Sequence, residues 1–78
     1  MKNIFKVGNP VFIQTKERDL SDIKKTIDSV TRICNHPIDI IGRISYVDED
    51  KVILDNSGHF TNIMYEIPIR HIETIGYI

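Results

Sequence analysis

From Ile40 to Ile75 the chain alternates short β-branched runs with tight polar turns, and that order most narrows what it can fold into. The run from Ile40 to Val47 meets the acidic turn Asp48-Glu49-Asp50. The run from Lys51 to Asp55 follows, then the polar loop 56–62, then Ile63 to Ile69 and a short closing segment from Arg70 to Ile75. Strand, turn, strand, loop, strand and closing turn is the pattern of a small, strongly bent β-barrel. Such barrels mostly serve as binding modules, and the fold alone does not say what is bound.

The 78 residues make one domain, 1–78. A domain this short buries only about 60% of its unfolded surface, so its stability margin is narrow. Its apolar residues are mostly isoleucine, with leucine only at Leu20 and Leu54 and no alanine, a bias that favours pleated sheet. The same bias follows AT-rich codons and fits a bacterial or phage genome. Net charge is −1, whereas a protein that binds nucleic acid through counterion release usually carries a basic surplus. Cys34 is the one cysteine, so no intramolecular disulfide forms. The first six residues lack the apolar run of a signal peptide, and no segment is long enough to span a membrane. A cytoplasmic location is expected.

Gly8-Asn9-Pro10 signals a turn. Val11, Ile13 and Thr15 then alternate with Phe12 and Gln14 in a first strand, apolar on both faces and so central or covered. Between 19 and 35 the spacing changes. Leu20, Ile23, Ile27, Val30 and Ile33 or Cys34 recur every three or four positions, which predicts an α-helix with one apolar stripe. Asp19 or Ser21 caps it and Asn35-His36-Pro37 ends it. Lys24, Lys25 and Arg32 then lie on its outer face.

Further on, Ile38, Ile40, Ile44 and Tyr46 share a strand face if Gly42 is paired or bulged. Ile63, Tyr65, Ile67 and Ile69 alternate with Met64, Glu66, Pro68 and Arg70. Pro68 belongs at a strand end or away from a ladder partner. Ile72 and Ile75 suit one helical turn, and Tyr77 and Ile78 can close the sheet against the first strand. The expected core is Ile27, Val30, Ile44, Tyr46, Leu54, Ile67 and Ile69.

Gly42, Asp48 and the segment Ile69 to Ile75 resemble the small barrels of the SH3-like and Sm-like type over about half the chain. The Sm-like pattern has a strand glycine with an aspartate six residues on, and later an isoleucine-arginine-glycine segment with spaced isoleucines. Gly42 and Asp48 match the first pair; Ile69, Arg70 and Ile72 match the second. Lys51-Val52 replaces the methionine-asparagine pair that helps bind a base, and His71 stands where a glycine is expected. The resemblance therefore implies the barrel without implying RNA binding.

Cys34, His36, His59 and His71 have the wrong spacing for zinc, whose ligand pairs usually leave two to four residues between them. Asp48-Glu49-Asp50 lacks the glycine and distal glutamate of a calcium loop and reads as a solvated hairpin turn. Phe60, alone in a polar loop, either tucks under the barrel as a core plug, the commoner outcome, or projects as an aromatic anchor. No nucleophile motif, phosphate-binding glycine loop or supported pair of carboxylates is present.

The expected fold is therefore α+β: a small bent antiparallel barrel of about five strands with one helix, 19–35, inserted after the first strand. The expected function is non-catalytic binding of a protein partner, as a bacterial accessory protein or a phage-encoded regulator or inhibitor, with no cofactor and no metal. The alternative is an RNA-binding or oligomeric Sm-like module. Nucleic acid is disfavoured, homo-oligomerisation stays open, and no membrane contact is expected. Phe60, Arg32, His36 and Arg70 are the candidate contact residues.

Overall fold

A computed structural model describes residues 6–16, 22–34 and 37–77. Seven strands form one antiparallel sheet: β1 (Pro10–Thr15), β2 (Lys24–Ile27), β3 (Val30–Ile33), β4 (Asp39–Val47), β5 (Lys51–Asp55), β6 (Ile63–Pro68) and β7 (Ile72–Tyr77). Their spatial order is β3-β2-β6-β5-β4-β1-β7. A single 3-10 turn, Ile69–His71, joins β6 to β7.

The helix expected over 19–35 is not formed. Its described part is the hairpin β2–β3, with Lys24 opposite Ile33, Lys25 opposite Arg32, Thr26 opposite Thr31 and Ile27 opposite Val30. Asp28 and Ser29 form the two-residue turn and both have positive φ, 47° and 73°. Such a turn matches the right-handed twist of the flanking strands. The β-branched residues Thr26, Ile27, Val30, Thr31 and Ile33 fit this arrangement better than a helix. The proposed cap residues Asp19 and Ser21, and Asn35-His36 at the other end, lie outside the described residues.

The expected closed barrel is also corrected. The sheet has two more strands than the five foreseen, and it is open, with β3 and β7 as its edges and no ladder between them among the described residues. It bends because β4 is shared in sequence: Asp39 to Arg43 pair with β1, and Arg43 to Val47 pair with β5. Gly42 sits at this crossing, where an added Cβ would lie 2.9 Å from the Asp55 carbonyl oxygen. Only glycine lets the two backbones approach so closely.

One face of the bent sheet holds the core. Val11, Ile13, Ile23, Ile44, Val52, Leu54 and Ile67 are fully buried, with Cys34, Ile38 and Tyr65 packed beside them. Among the described residues no second layer or α-helix covers this face, and its side chains pack against one another in a single cluster. Burial of a large aliphatic side chain stabilises by about 1.5–3 kcal/mol. At the core's margin Thr15 replaces a lost ladder step, because its Oγ1 accepts from the Ile38 N–H at 2.8 Å.

Ile44, Leu54 and Ile67 are buried as expected, while Ile69 is half-buried because the chain leaves the strand after Pro68 and enters the 3-10 turn. Ile27, Val30 and Tyr46 are exposed instead. For Tyr46 the reason is a bulge: Ile44 pairs with Leu54 and Tyr46 with Ile53, leaving Ser45 as the extra residue. The bulge falls three positions after Gly42 and reverses the side-chain phase. Tyr46 turns outward, and its hydroxyl donates to Asp48 Oδ2 at 3.0 Å.

Several expectations agree with the structure. β1 is central, between β4 and β7. Asp48 shapes a hairpin turn, its Oδ1 accepting from the N–H groups of Asp50 and Lys51 at 2.8 and 2.9 Å. Pro68 ends β6. Tyr77 lies opposite Val11, closing the sheet on the first strand, although Ile72 to Tyr77 form a strand rather than a helical turn.

Candidate functional site

The register of β6 fixes what the hairpin presents. Lys25 lies opposite Tyr65 and Ile27 opposite Ile63, so Lys25 and Ile27 share the core-facing side of the sheet. Across the hairpin Arg32 and Val30 lie on that same side. Ile23 and Cys34, one step further along this face, are buried in the core. Beyond them the hairpin runs past the core, so the inner face continues as an open groove of about 280 Å³ lined by Lys25, Ile27, Val30 and Arg32. Ile27 is 38% exposed and Val30 56%. The Lys25 ammonium sits 5.4 Å from the centre of the Tyr65 ring, a cation–π contact.

The opposite face of the hairpin differs. Thr26 and Thr31 join hydroxyls at 2.8 Å, and Lys24 reaches Glu66 at 3.9 Å. Ile33 is 62% exposed there. β3 is thus an edge strand carrying apolar side chains on both faces, Val30 inside and Ile33 outside.

The loop 56–62 is tied to the tip of this hairpin. The Asp28 N–H donates to the Asn62 carbonyl at 2.9 Å, and the Asn62 N–H donates to Asp28 Oδ1 at 3.0 Å. At its base, Ser57 Oγ accepts from the Ile63 N–H at 3.0 Å, and the Ser57 N–H donates to Asp55 Oδ1 at 2.9 Å. The Ser57 hydroxyl first, and the Ser57 N–H second, hold the Asp55 carboxyl below the usual carboxylate range. On this anchored loop Phe60 is 98% exposed. It is therefore not a core plug.

The four candidate contact residues are only partly brought together. Phe60 stands at the hairpin-tip end of the sheet and Arg32 lies exposed on β3. Arg70 is at the other end of β6, beyond about 17 Å of strand, where it pairs with the Asp22 carboxylate. The second Asp22 oxygen lies 2.5 Å from His71 Nε2. Arg70 thus belongs to a clamp holding the start of β2 against the 3-10 turn. His36 lies outside the described residues.

Ile27, Val30 and Ile33 were not among the candidates because the helix reading placed them at core-facing positions, and it set Lys25 on the opposite, outer face. The signal that would have found them is β-branched density on both sides of Asp28-Ser29.

A wider cleft of about 1180 Å³ lies by Thr15, Ile38 and His71. It presents charges of both signs, Lys16 and Arg70 against Asp39 and Glu73, and no large exposed apolar side chain. Of the four considered zinc ligands, Cys34 is buried in the core, His59 is exposed on loop 56–62, and His71 is buried beside Asp22. Among the described residues no group of three or more His, Cys, Asp or Glu side chains is placed to hold a metal ion. Among them, too, no helix is long and apolar enough to cross a membrane.

No protein-family model matches this chain, and neither a curated protein nor a solved structure is significantly similar to it.

Proposed function

We propose that the protein is a non-catalytic module that binds a protein partner through the β2–β3 hairpin and loop 56–62. The observation that carries this reading is the grouping of exposed apolar side chains at one end of the sheet. Ile27, Val30 and Ile33 lie on the hairpin, and Phe60 lies on a loop hydrogen-bonded to its tip. Apolar groups left in water at an anchored site mark interaction surfaces. An aromatic ring on a pinned loop contributes contact area at low entropic cost.

The test is to pan a random peptide display library against the protein and, in parallel, to titrate single-stranded RNA oligonucleotides at low and high salt. Selected peptides are expected to shift the amide resonances of residues 24–33 and 56–62, and Phe60→Ala to weaken them about tenfold. RNA binding that falls steeply with salt and ignores Phe60→Ala would reject the protein-binding reading.

A further inference from the structure

Resting on that protein-binding reading, we infer that the partner is an extended segment that adds to the outer edge of β3 as an antiparallel strand, with an acidic residue opposite Arg32. The inference starts from the hydrogen-bond phase of the hairpin. In a two-residue hairpin the residues flanking the turn form a hydrogen-bonded pair, and the pair type then alternates. Ile27 and Val30 are such a pair, Thr26 and Thr31 are not, and Lys25 and Arg32 are again. The bond from the Cys34 N–H to the Ile23 carbonyl at 2.7 Å continues the same phase.

It follows that Val30, Arg32 and Cys34 turn their backbone groups toward β2. Thr31 and Ile33 turn theirs outward, where no strand of the described residues receives them. Edge strands are usually blunted by proline or charge. β3 has no proline, and its one charge, Arg32, lies between Val30 and Ile33, both exposed. This is the surface that strand addition uses: backbone groups supply affinity and alternate side chains supply selectivity.

The chemistry of the partner follows from the same register. Arg32 does not exchange bonds with the incoming strand, so it faces its opposite residue in the closer type of pair, with Cα atoms about 4.5 Å apart. Lys25 lies directly behind it on the same face. Neither cation has a carboxylate within ion-pair distance among the described residues, where the ion pairs engage Lys24, Lys51, Arg70 and His71. An acidic side chain opposite Arg32 meets the guanidinium directly and lies in the positive field of Lys25 one strand further in. Apolar residues belong opposite Ile33 on one face and Val30 on the other, giving the order apolar, acidic, any, apolar along the partner.

A second copy of this chain fits poorly. An antiparallel pair of identical strands has its two-fold axis normal to the sheet, so one residue faces itself. Centred on Arg32, two guanidinium groups oppose each other. Centred on Thr31, they sit on the diagonal, about 7–8 Å apart, with both Lys25 residues on the same face.

The probe is the capped peptide Lys-Thr-Val-Glu-Thr-Val-Thr-Lys, which places its first valine opposite Ile33 and its glutamate opposite Arg32. It is compared with a version N-methylated at the first valine and the central threonine, and with one N-methylated at the glutamate and the second valine. The first modification blocks the groups that meet β3 and is expected to weaken binding at least about tenfold; the second leaves them. Arg32→Glu is expected to weaken the glutamate peptide about fivefold and to favour a lysine analogue by a similar factor. Thr31→Pro removes an outward N–H, a change edge strands tolerate, and is expected to abolish binding while the amide spectrum stays folded. Binding indifferent to the position of N-methylation or to Arg32→Glu would overturn strand addition while leaving the hairpin a binding surface. A dimer of the protein that Thr31→Pro dissolves would assign the edge to a second copy and overturn the acidic partner. Failure of every displayed peptide at the hairpin sinks the underlying reading as well.

Discussion

Gly42 gives the residue scale its sharpest test, because the missing side chain is what lets β4 serve two ladders. A methyl group there meets the Asp55 backbone rather than a flexible side chain. Gly42→Ala is expected to cost about 1–3 kcal/mol, as overpacked sites do, measured by urea unfolding. Core and rim separate just as cleanly. Ile67 is fully buried and Val30 more than half exposed, so Ile67→Ala should lose about 2–5 kcal/mol and Val30→Ala no more than about 0.5 kcal/mol. Equal losses would mean that the hairpin packs as core. Asp48 tests the β4–β5 turn through pH. The N–H groups of Asp50 and then Lys51 hold its carboxyl below the usual carboxylate range, with the Tyr46 hydroxyl adding to them. A depressed folded-state pKa contributes stability above the unfolded value, about 3.9, and that contribution is lost as pH falls through the folded value. Stability measured from about pH 5 downward should fall more steeply in the wild type than in Asp48→Asn. The mutant keeps the similar contribution of Asp55 and the ion pairs of Asp22 and Glu66; identical slopes would contradict the assignment.

At the scale of the element, the hairpin explains why part of the fold was legible and part was not. β1, the β4–β5 hairpin, β6 and the pairing of Tyr77 with the first strand were readable because alternation and turn residues agree there. The segment 23–34 misleads for a geometric reason. Ile23, Ile27, Val30 and Cys34 are spaced by four, three and four, the stripe of a helix, yet the same positions are mirror-related about Asp28-Ser29 and fall on one face of a two-residue hairpin. Periodicity cannot separate the two, and Lys25 and Arg32, which share the hairpin's apolar face, even favour the helix; only the β-branched residues on both sides of Asp28-Ser29 point to strands. Tyr46 was misplaced because nothing about Ser45 announces a bulge. Of the candidate site, Arg32 was legible as an exposed group; Phe60 was read first as a core plug, because nothing in the sequence shows that its loop is pinned away from the core, and the commitment of Arg70 to Asp22 joins residues 48 apart in sequence. Ser29→Gly distinguishes hairpin from helix by sign. With Ser29 at φ 73°, glycine relieves a left-handed conformation that costs a non-glycine residue about 1–2 kcal/mol and should stabilise the protein. In a helix the same change would cost about 1 kcal/mol.

For the whole molecule, the proposed function depends on the sheet being open. A closed barrel has no unpaired edge, but this sheet ends in β3 on one side and β7 on the other. The proposed partner site exists because the hairpin carries the sheet past its core, leaving Val30, Ile33 and the backbone of Thr31 unpaired at the rim. The measurement that tests this most directly is residue-resolved amide hydrogen exchange with cross-strand NOEs over residues 23–34. The structure predicts close Hα–Hα contact between Thr26 and Thr31. It also predicts alternating exchange in β3, with Val30, Arg32 and Cys34 protected and Thr31 and Ile33 fast. Continuous protection along 23–34 with i to i+3 contacts would show a helix and contradict both the open sheet and the binding edge built on it.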